Sequence, residues 1–478
     1  MVRLRFAIGL LAVIAAGCAL KAPPDAAAVR QQALPELQVP EKWTAPGAGA
    51  GAAPDNWVAS FNDAQLAAAV NEAVAHNADL RVAATRVEQA QLHAKLAGAK
   101  LWPSVDLLAR GGGKLSGDGS GLQGGVVSAS WELDLWGRVR TGRAASATQA
   151  AAAAADFEYA RQSLAALVAK AWFLATEAGL QILAARETIG GSEELVRLAG
   201  ERARVGVGGQ EDVFIARADV SGRRDVLRQL ELARTEAIRA LELLLGRYPA
   251  AAAMPSPELP GYPGEIPAGL PSALLERRPD VLAAERRVAA AFHRIQEAKA
   301  ARLPVISLTT GVSAISSSLF LLKDHDNPVW SAGANLLAPL FRGGALKTQV
   351  EIRTAEQKQA IAEYAVVGMR AFGEVEGALA AEIAAREREK ILMEAFADNE
   401  QALNIVQTQF RVGSTDLRFV TQRQLALSAT RSALIRVQAE QRVQRVNLHL
   451  ALGGSFTLPP APPPPPTPPA PAAPPQPR

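Results

Sequence analysis

The sequence predicts a mainly α-helical fold with a β-barrel part, four strands in each chain, and an internal tandem duplication. Two long alanine-rich stretches contain no proline and suit extended helices. At two places, alternating apolar and polar residues interrupt the helical pattern and indicate β-strands. Landmarks of the first half of the chain recur in the second half, which indicates a repeated unit.

The composition argues against a compact enzyme core and against nucleic-acid binding. Hydrophobic residues make up 49% of the 478 residues, but aromatic residues only 5%, and much of the apolar content is alanine. Such a composition suits close packing of helix on helix. The 51 basic and 47 acidic residues are interspersed and leave a net charge of +4, so we expect no nucleic-acid partner.

Residues 1–17 have the features of a signal peptide. Arg3 and Arg5 precede an apolar run from Phe6 to Ala16, which is too short to span a bilayer. Cys18 follows this run and is the only cysteine, so it cannot form a disulfide within the chain.

The position of Cys18 resembles the acylated cysteine in the lipobox of bacterial lipoproteins. The resemblance implies a lipidated N-terminal segment over residues 18–56. Ala15 departs from the lipobox pattern, since leucine is usual there. The alternative is ordinary secretory cleavage nearby, which leaves Cys18 discarded or free.

One unit is used twice along the chain. The stretch from Asn77 aligns with the stretch from Arg278 without a gap. The matched residues include Asp79 with Asp280, Arg86 with Arg287, Val87 with Val288, and Pro103 with Pro304. Later landmarks recur as well: "RVG" at Arg204 and Arg411, and "LLLG" and "LALG" ending at Gly246 and Gly453.

The repeat divides the chain into equivalent segments. Copy 1 has a helix at 57–102, a hairpin at 103–137, and a long helix with a returning helix at 138–250. After a linker at 251–271, copy 2 has the same parts at 272–303, 304–342 and 343–453. Residues 454–478 are proline-rich and predict an extended, disordered spacer, with a binding role as the alternative.

The predicted strands have one apolar and one polar face. In "VSASWELDL" one face holds Val127, Ala129, Trp131, Leu133 and Leu135, and the other holds Ser128, Ser130, Glu132 and Asp134. Pro103 and Pro304 stop the preceding helices and start a strand in each copy. Four strands cannot close a barrel, and an open sheet edge is not viable in lipid, so several chains must share one barrel.

The proline-free stretches predict two unusually long helices. Val139 to about Arg204 and Ala345 to about Arg411 each correspond to roughly 100 Å at about 1.5 Å per residue. The shorter helices, about half that length, are predicted at Ala64–Lys100, Glu211–Leu245, Ser272–Arg302 and Asp416–Leu450. Two short helices end to end match one long helix, which predicts a helical cylinder joined to the strands.

Several motifs in combination resemble the TolC-like outer-membrane efflux proteins, in particular their lipoprotein branch. They include "NWVASFNDAQL" from Asn56, "SWELDLWGRVR" from Ser130, "ERRPDVLAAERRV" from Glu276 and "PLFRGGALKTQV" from Pro339. The resemblance covers about residues 30 to 458. It implies a homotrimer with a shared barrel in the outer membrane of a Gram-negative bacterium and a helical tunnel in the periplasm.

The resemblance also implies a function and partners. Such a channel passively conducts drugs or other small molecules from an inner-membrane transporter of the RND type, bridged by a periplasmic membrane-fusion adaptor. Within the family, type I protein secretion or metal efflux is the alternative. Outside it, the competing interpretation is a soluble coiled-coil lipoprotein, which does not explain the four inserted strands.

In this interpretation the hairpin residues face either lipid or water. Trp131, Trp136, Trp330 and Phe341 are the candidate aromatic residues of the membrane interface. Glu132 and Asp134 are predicted to face the barrel lumen. Their two carboxylates suit simple solvation of a polar lumen better than a specific cation site.

The turns at the periplasmic end hold the candidate gate residues. Gly206 and Gly413 lie where each long helix reverses, and Asp212 and Asp416 open the returning helices. Favourable placement of an acid near a helix N-terminus is one explanation of the aspartates. The other is that three copies of Asp416, Arg411 and Asp212 form charge pairs that close the tunnel.

The sequence predicts no catalytic activity, no cofactor and no metal site. The five histidines are His76, His93, His293, His325 and His449, and they have no ligand spacing to one another. His325, in "KDHDNP", is predicted in an outer loop where an incidental metal contact is the alternative to a solvated side chain. The "GVGG" near Gly206 does not follow a strand, as a phosphate-binding loop would require.

Overall fold

The computed structural model describes the chain in six segments, residues 21–45, 56–110, 123–264, 267–269, 271–316 and 329–454. The predicted signal peptide, Cys18, the glycine-rich loop around residues 117–121, His325 and the tail from residue 455 lie outside the described residues.

Copy 1 follows an N-terminal segment with one short helix. The bounds are α1 Ala26–Ala33, a 3₁₀ turn Trp57–Phe61, α2 Ala64–His76, α3 Ala78–Ala99, β1 Ser104–Arg110, β2 Gln123–Leu133, α4 Arg138–Arg204 and α5 Gln210–Leu245. The long helix α4 has 67 residues, which corresponds to about 100 Å.

Copy 2 repeats this order. The bounds are α6 Pro271–Arg277, α7 Pro279–Ala300, β3 Val305–Ser316, β4 Val329–Leu337, α8 Ala345–Arg411 and α9 Leu417–Ala451. Helix α8 also has 67 residues, so α4 and α8 correspond residue by residue from their first positions.

Two predicted continuous helices are each divided in two. The predicted helix Ala64–Lys100 is interrupted at Asn77, whose backbone is extended. The Asn77 side chain accepts a hydrogen bond from the Leu80 N–H at 3.0 Å and donates one to the Leu244 carbonyl at 3.0 Å. The amide thus caps α3 and ties it to α5.

The break in copy 2 has a different cause. The predicted helix Ser272–Arg302 ends at Arg277 and restarts at Pro279. Proline lacks an N–H and disfavours helical backbone in the preceding residue, so it begins a helix more readily than it continues one. Arg278 accordingly has an extended backbone with φ −74° and ψ 123°.

The four strands form one antiparallel sheet in the order β1-β2-β3-β4. Ser104 lies opposite Ser130, Trp131 opposite Leu308, and Val305 opposite Leu337. The hairpins of the two copies therefore lie side by side, with β1 and β4 at the edges. Each edge leaves backbone groups that require a further strand.

The helices pack in a layer around α4. This helix contacts α3, α5, α7 and α9, while α8 contacts α7 and α9. By length and composition α4 could cross a membrane, but half of its most apolar window is buried against its neighbours. Close helix packing therefore accounts for its alanine content.

A charged cluster fastens the linker between the copies to α8 and α9. The Arg445 guanidinium, fully buried, donates to the Glu382 carboxylate at 2.6 and 3.2 Å and to the Tyr262 hydroxyl at 2.7 Å. It also donates to the Gly264 carbonyl at 2.5 Å. Burial raises the pKa of Tyr262, so its phenol stays neutral beside the carboxylate.

The start of the linker is organised by a second carboxylate. Glu242 accepts backbone N–H groups of Ala251, Ala252 and Ala253 at 2.7, 2.7 and 2.9 Å. Its burial acts to raise its pKa, but these three donors outweigh burial and lower it. Ala251 adopts a left-handed backbone with φ 57°, which is unusual for a residue with a Cβ.

The N-terminal segment lies against copy 2. The Trp43 indole N–H donates to the Gly269 carbonyl at 3.2 Å. The Glu376 carboxylate on α8 accepts the N–H groups of Thr44 and Ala45 at 2.8 and 2.7 Å. The segment is thus held on copy 2 at residues 43–45, and Val29 of α1 is buried in the same cluster as Leu275 and Val281.

Candidate functional site

The sheet has one apolar and one largely polar face, as the alternation predicts. Residues paired across strands share a face, and successive residues alternate between faces. The apolar face holds Val105, Leu107, Val127, Ala129, Trp131, Leu308, Thr310, Val312, Trp330, Ala332, Ala334 and Leu336. In the single chain Leu107 and Trp330 are 72% and 75% exposed, which suits contact with lipid and not with water.

The opposite face is lined mainly by hydroxyl, amide and carboxylate groups. Its polar members include Ser104, Asp106, Ser128, Ser130, Glu132, Ser307, Thr309, Ser313, Ser331 and Asn335. The Ser104 and Ser130 hydroxyls bond each other at 2.9 Å across the strands. A wall with these two faces separates lipid from a water-filled lumen.

The residue Asp106 carries charge on the polar face, and the predicted site residues did not include it. It lies opposite Ser128, and the same row continues through Gly311 and Ser331. No ion pair of Asp106 is found within the described part of the chain. The period-two pattern from Pro103 would have placed it on this face.

The carboxylate of Glu132 lies at the junction between β2 and α4. It accepts hydrogen bonds from Arg138 Nε and Nη2 at 3.0 and 2.5 Å. This ion pair connects the C-terminal end of β2 to the first turn of α4. Glu132 is on the polar face of the sheet, but Arg138 neutralises its charge.

The structure corrects the predicted position of Asp134. Strand β2 ends at Leu133, so Asp134 and Leu135 do not continue the two faces of the strand. The Asp134 carboxylate instead accepts the N–H groups of Val139 and Arg140 at 3.0 and 2.8 Å. It caps α4 because the first N–H groups of a helix have no partner within the helix.

The four candidate interface aromatics occupy different environments. The Trp131 indole N–H donates to the Leu101 carbonyl at 2.9 Å, and that of Trp136 to the Pro304 carbonyl at 2.7 Å. Both therefore lie at the helical end of the sheet. Trp330 lies at the opposite end of β4, and Phe341, which is 89% exposed, follows β4 before α8.

The periplasmic turns have the predicted backbone reversals. Gly206 and Gly413 have φ values of 75° and 82°, which favour glycine. Asp416 is the N-cap residue of α9, where its charge lies at the favourable end of the helix dipole, although its side chain makes no cap hydrogen bond. Asp212 lies in the first turn of α5, and Arg411 is the last residue of α8.

The contact that joins the two turns comes from a residue that was not predicted. Arg202 donates to the Phe410 carbonyl, and its guanidinium lies 4.5 Å from the centroid of the Phe410 ring. A cation over an aromatic face is attractive. Nothing in the sequence distinguishes Arg202 from the neighbouring basic residues, because its partner is far away along the chain.

Comparison with known proteins agrees with this geometry. A family model described as "Outer membrane efflux protein" matches residues 69–247 and 270–454. The chain belongs to the outer membrane efflux protein family.

Two curated relatives cover nearly the whole chain. The chain is 30% identical to the cation efflux system protein CusC of Escherichia coli O6:H1, over 88% of this chain and 94% of that protein. It is 32% identical to the outer membrane protein OprJ of Pseudomonas aeruginosa, over 88% of this chain and 91% of that protein.

Solved structures show the same architecture. The open state of the outer-membrane channel MtrE of Neisseria gonorrhoeae matches with a TM-score of 0.77 and 25% identity, over 92% of this chain and 98% of that one. The chain is therefore an outer-membrane efflux channel subunit, with a four-stranded share of the barrel and a periplasmic helical tunnel.

Proposed function

We propose that three copies of this chain form the outer-membrane conduit of a tripartite efflux system, completed by a periplasmic adaptor and an inner-membrane transporter of the RND type. The observation that carries the proposal is the two-faced sheet joined directly to two 67-residue helices. Together they provide a wall through the membrane and a tunnel of about 100 Å beyond it.

The proposed role is passive because the transporter supplies the energy. A sheet with two open edges is not viable in lipid, so the four strands of each chain require strands of other copies. The polar face then lines a continuous aqueous path. Small molecules, drugs among them, are the proposed cargo.

Cation efflux is a second candidate for the cargo. The similarity to the cation efflux system protein and the position of Asp106 on the polar face favour it. The described residues contain no group of three or more His, Cys, Asp or Glu side chains placed to hold a metal ion. Within the described residues, a preference for cations would therefore come from the field of the lumen and not from a coordinated site.

We also propose that an acyl group on Cys18 reaches the membrane. Helix α1, which begins directly after Asp25, contacts α7, and its Val29 is buried in one cluster with Val281 and Val288, so Asp25 lies near the part of α7 that holds Glu285. From Glu285 to Ala300 the helix rises roughly 22 Å at about 1.5 Å per residue. The seven residues after Cys18 span roughly 24 Å when extended, so the anchor can reach the start of the strands.

The gate at the periplasmic turns is proposed to form between chains. Asp416 leaves its own helix uncapped, and within the described residues neither Asp416 nor Asp212 pairs with Arg411. Asp416 and Arg411 are exposed and Asp212 is half-buried, so these charges are available to neighbouring copies. Asp416→Ala and Arg411→Ala should raise single-channel conductance in planar bilayers, and unchanged conductance and opening would contradict the gate.

The conduit itself is tested in a strain that lacks its own outer-membrane efflux channel. The chain should lower the accumulation of drugs only when the adaptor and transporter are also present. Purified protein should require detergent and change its migration on heating. A delipidated chain that stays dissolved as a monomer without a β-sheet signal would support the soluble lipoprotein and refute the conduit.

A further inference from the structure

Exposed apolar side chains on α3 and α8 occupy positions that are buried in the other copy. Val82 and Leu92 on α3 are 49% and 55% exposed, and Ile352 and Met369 on α8 are 47% and 50% exposed. Their counterparts in the repeat are buried: Ala283 for Val82, His293 for Leu92, Ala145 for Ile352 and Gln162 for Met369. Burial in one copy and exposure in the other indicate that a partner covers the exposed positions.

The interface between the two copies within one chain, which we call the seam, shows how helices of one copy cover a long helix of the other. Helix α7 packs on α4, and α9 packs on α4 further along its length. Two ion pairs cross this seam. Arg287 on α7 pairs with Asp156 on α4, and Arg431 on α9 pairs with Glu187 on α4. A third, looser pair joins Arg436 to Glu177 at 3.9 Å.

The repeat carries both short ion pairs onto the exposed faces with the charges unchanged. The counterparts of Arg287 and Asp156 are Arg86 on α3 and Glu363 on α8. The counterparts of Arg431 and Glu187 are Arg224 on α5 and Glu394 on α8. The looser pair falls on Gln229 and Ala384 and is not kept. Charge complementarity is thus retained where the internal seam is tightest.

We propose that two ion pairs join α3 and α5 of one protomer to α8 of its partner, in the register that α7 and α9 adopt on α4 within the chain. In this register Arg86 of one protomer pairs with Glu363 of its partner, and Arg224 pairs with Glu394 in the same way. The inference rests on the proposed homotrimer and adds the residues that face each other at its subunit interface.

The contacts within one chain allow this exchange of partners. Arg224 pairs with Glu193 at 2.7 Å in the single chain, but its side chain is 63% exposed. The Glu363 carboxylate accepts a hydrogen bond from Gln359 Nε2 at 2.8 Å on an exposed surface. Side chains this exposed change rotamer at little cost, so neither contact blocks the pairing.

The sheet supports the same register at its open edges. Within the chain, Ala129 lies opposite Thr310, and Trp131 lies opposite Leu308. The repeat converts the first pair to Leu336 of β4 opposite Ala109 of the partner, and the second to Ala338, just after β4, opposite Leu107 of the partner. Leu336 and Leu107 are 68% and 72% exposed in the single chain. Apolar residues would meet apolar residues along the closed barrel.

Cysteine cross-linking tests the register. Chains with Arg86→Cys and Glu363→Cys, or with Arg224→Cys and Glu394→Cys, are treated with a short bis-maleimide in outer-membrane preparations. Both sets should give covalent dimers and trimers on denaturing gels. Co-expression of an Arg86→Cys chain with a Glu363→Cys chain, each also carrying Cys18→Ala, should give dimers only, because each chain then carries one reactive position.

Two controls fix the interpretation. The internal counterpart, Arg287→Cys with Asp156→Cys, should cross-link within the chain and yield no dimers. Moving one position by a helical turn, from Glu363→Cys to Gln359→Cys, should reduce dimers with Arg86→Cys several-fold. Equal or higher yield from Gln359→Cys would overturn the register.

The same cells report on the proposed function separately. Absence of dimers from both pairs, in variants that restore efflux, would overturn the register and leave the conduit intact. Dimers from variants that do not restore efflux, although the wild-type chain does, would support the register. Dimers in cells where even the wild-type chain restores no efflux would support the register and contradict the proposed function.

Discussion

Removing the buried carboxylate of Glu382 should destabilise the channel more than removing its partner Arg445. The reason is that each substitution leaves the remaining residue with a different number of oppositely charged partners. Arg445 is fully buried and has Glu382 as its one carboxylate partner in the described chain. Glu382 has a second cation, because Arg386 Nη2 lies 3.1 Å from its Oε1.

The magnitudes follow from these partners. Glu382→Leu leaves a buried guanidinium with only the Tyr262 hydroxyl and a carbonyl, and we expect a loss of about 3–5 kcal/mol per subunit. Arg445→Met leaves Glu382 paired with Arg386, and we expect about 1.5–3 kcal/mol. The double variant removes both buried charges and should cost less than Glu382→Leu alone.

The assay is guanidinium unfolding of the detergent-solubilised protein, followed by the helical circular dichroism signal. Proteolysis of the linker near Tyr262 gives a local readout, because the cluster fastens that segment to α8 and α9. An Arg445→Met loss equal to or larger than the Glu382→Leu loss would refute the reasoning. A double variant less stable than either single variant would refute it as well.

Three further predictions concern acid sensitivity, backbone strain and ion selectivity. Burial, and to a smaller extent the charge of Arg445, lowers the pKa of His449 in the folded protein to about 3. As the pH falls below the unfolded-state pKa of 6.5, His449 therefore binds a proton only in the unfolded state, which stabilises that state. Stability should therefore fall by about 2 kcal/mol per subunit from pH 7 to pH 5, and His449→Phe should flatten this pH dependence of the melting temperature. Ala251→Gly should stabilise the protein by about 1 kcal/mol in the same melts, because φ 57° disfavours alanine, and a loss would contradict that account. Asp106→Asn should lower the ratio of cation to anion permeability, measured from reversal potentials in a salt gradient, and an unchanged ratio would remove Asp106 from the lumen.

The sequence was sufficient for the long helices and for the two faces of the sheet. Absence of proline and alternation of apolar residues are local signals, and local signals set element type. The breaks at Asn77 and Arg278 were missed for different reasons. The Asn77 break combines a local cap on the Leu80 N–H with a contact to the distant Leu244 carbonyl, which the sequence does not show, whereas Pro279 gave a local signal that the helical periodicity around it masked.

Residues at the candidate site were predictable only where a local pattern controls them. The alternation predicted that Glu132 lies on the polar face, which the strand register confirms. It could not predict that Arg138 forms an ion pair with Glu132 and neutralises its charge. The alternation also predicted too long a strand, because β2 ends at Leu133 and the Asp134 carboxylate caps α4 instead. Arg202 of copy 1 contacts Phe410 of copy 2, and a local sequence pattern does not indicate a contact between residues so far apart along the chain.

The charge of the lumen is decided at the junction between strands and helices. In the described parts of β1 and β2 and in the turn into α4, each chain has three carboxylates, those of Asp106, Glu132 and Asp134. The helix α4 takes two of them, Glu132 through Arg138 and Asp134 through its first N–H groups and Arg140. Of these three carboxylates, that of Asp106 has no ion pair within the described residues, so its field acts on the water inside the barrel. The helix that anchors the tunnel thus also sets how acidic the pore is, and substitutions in the first turn of α4 should change conduction without touching the pore lining.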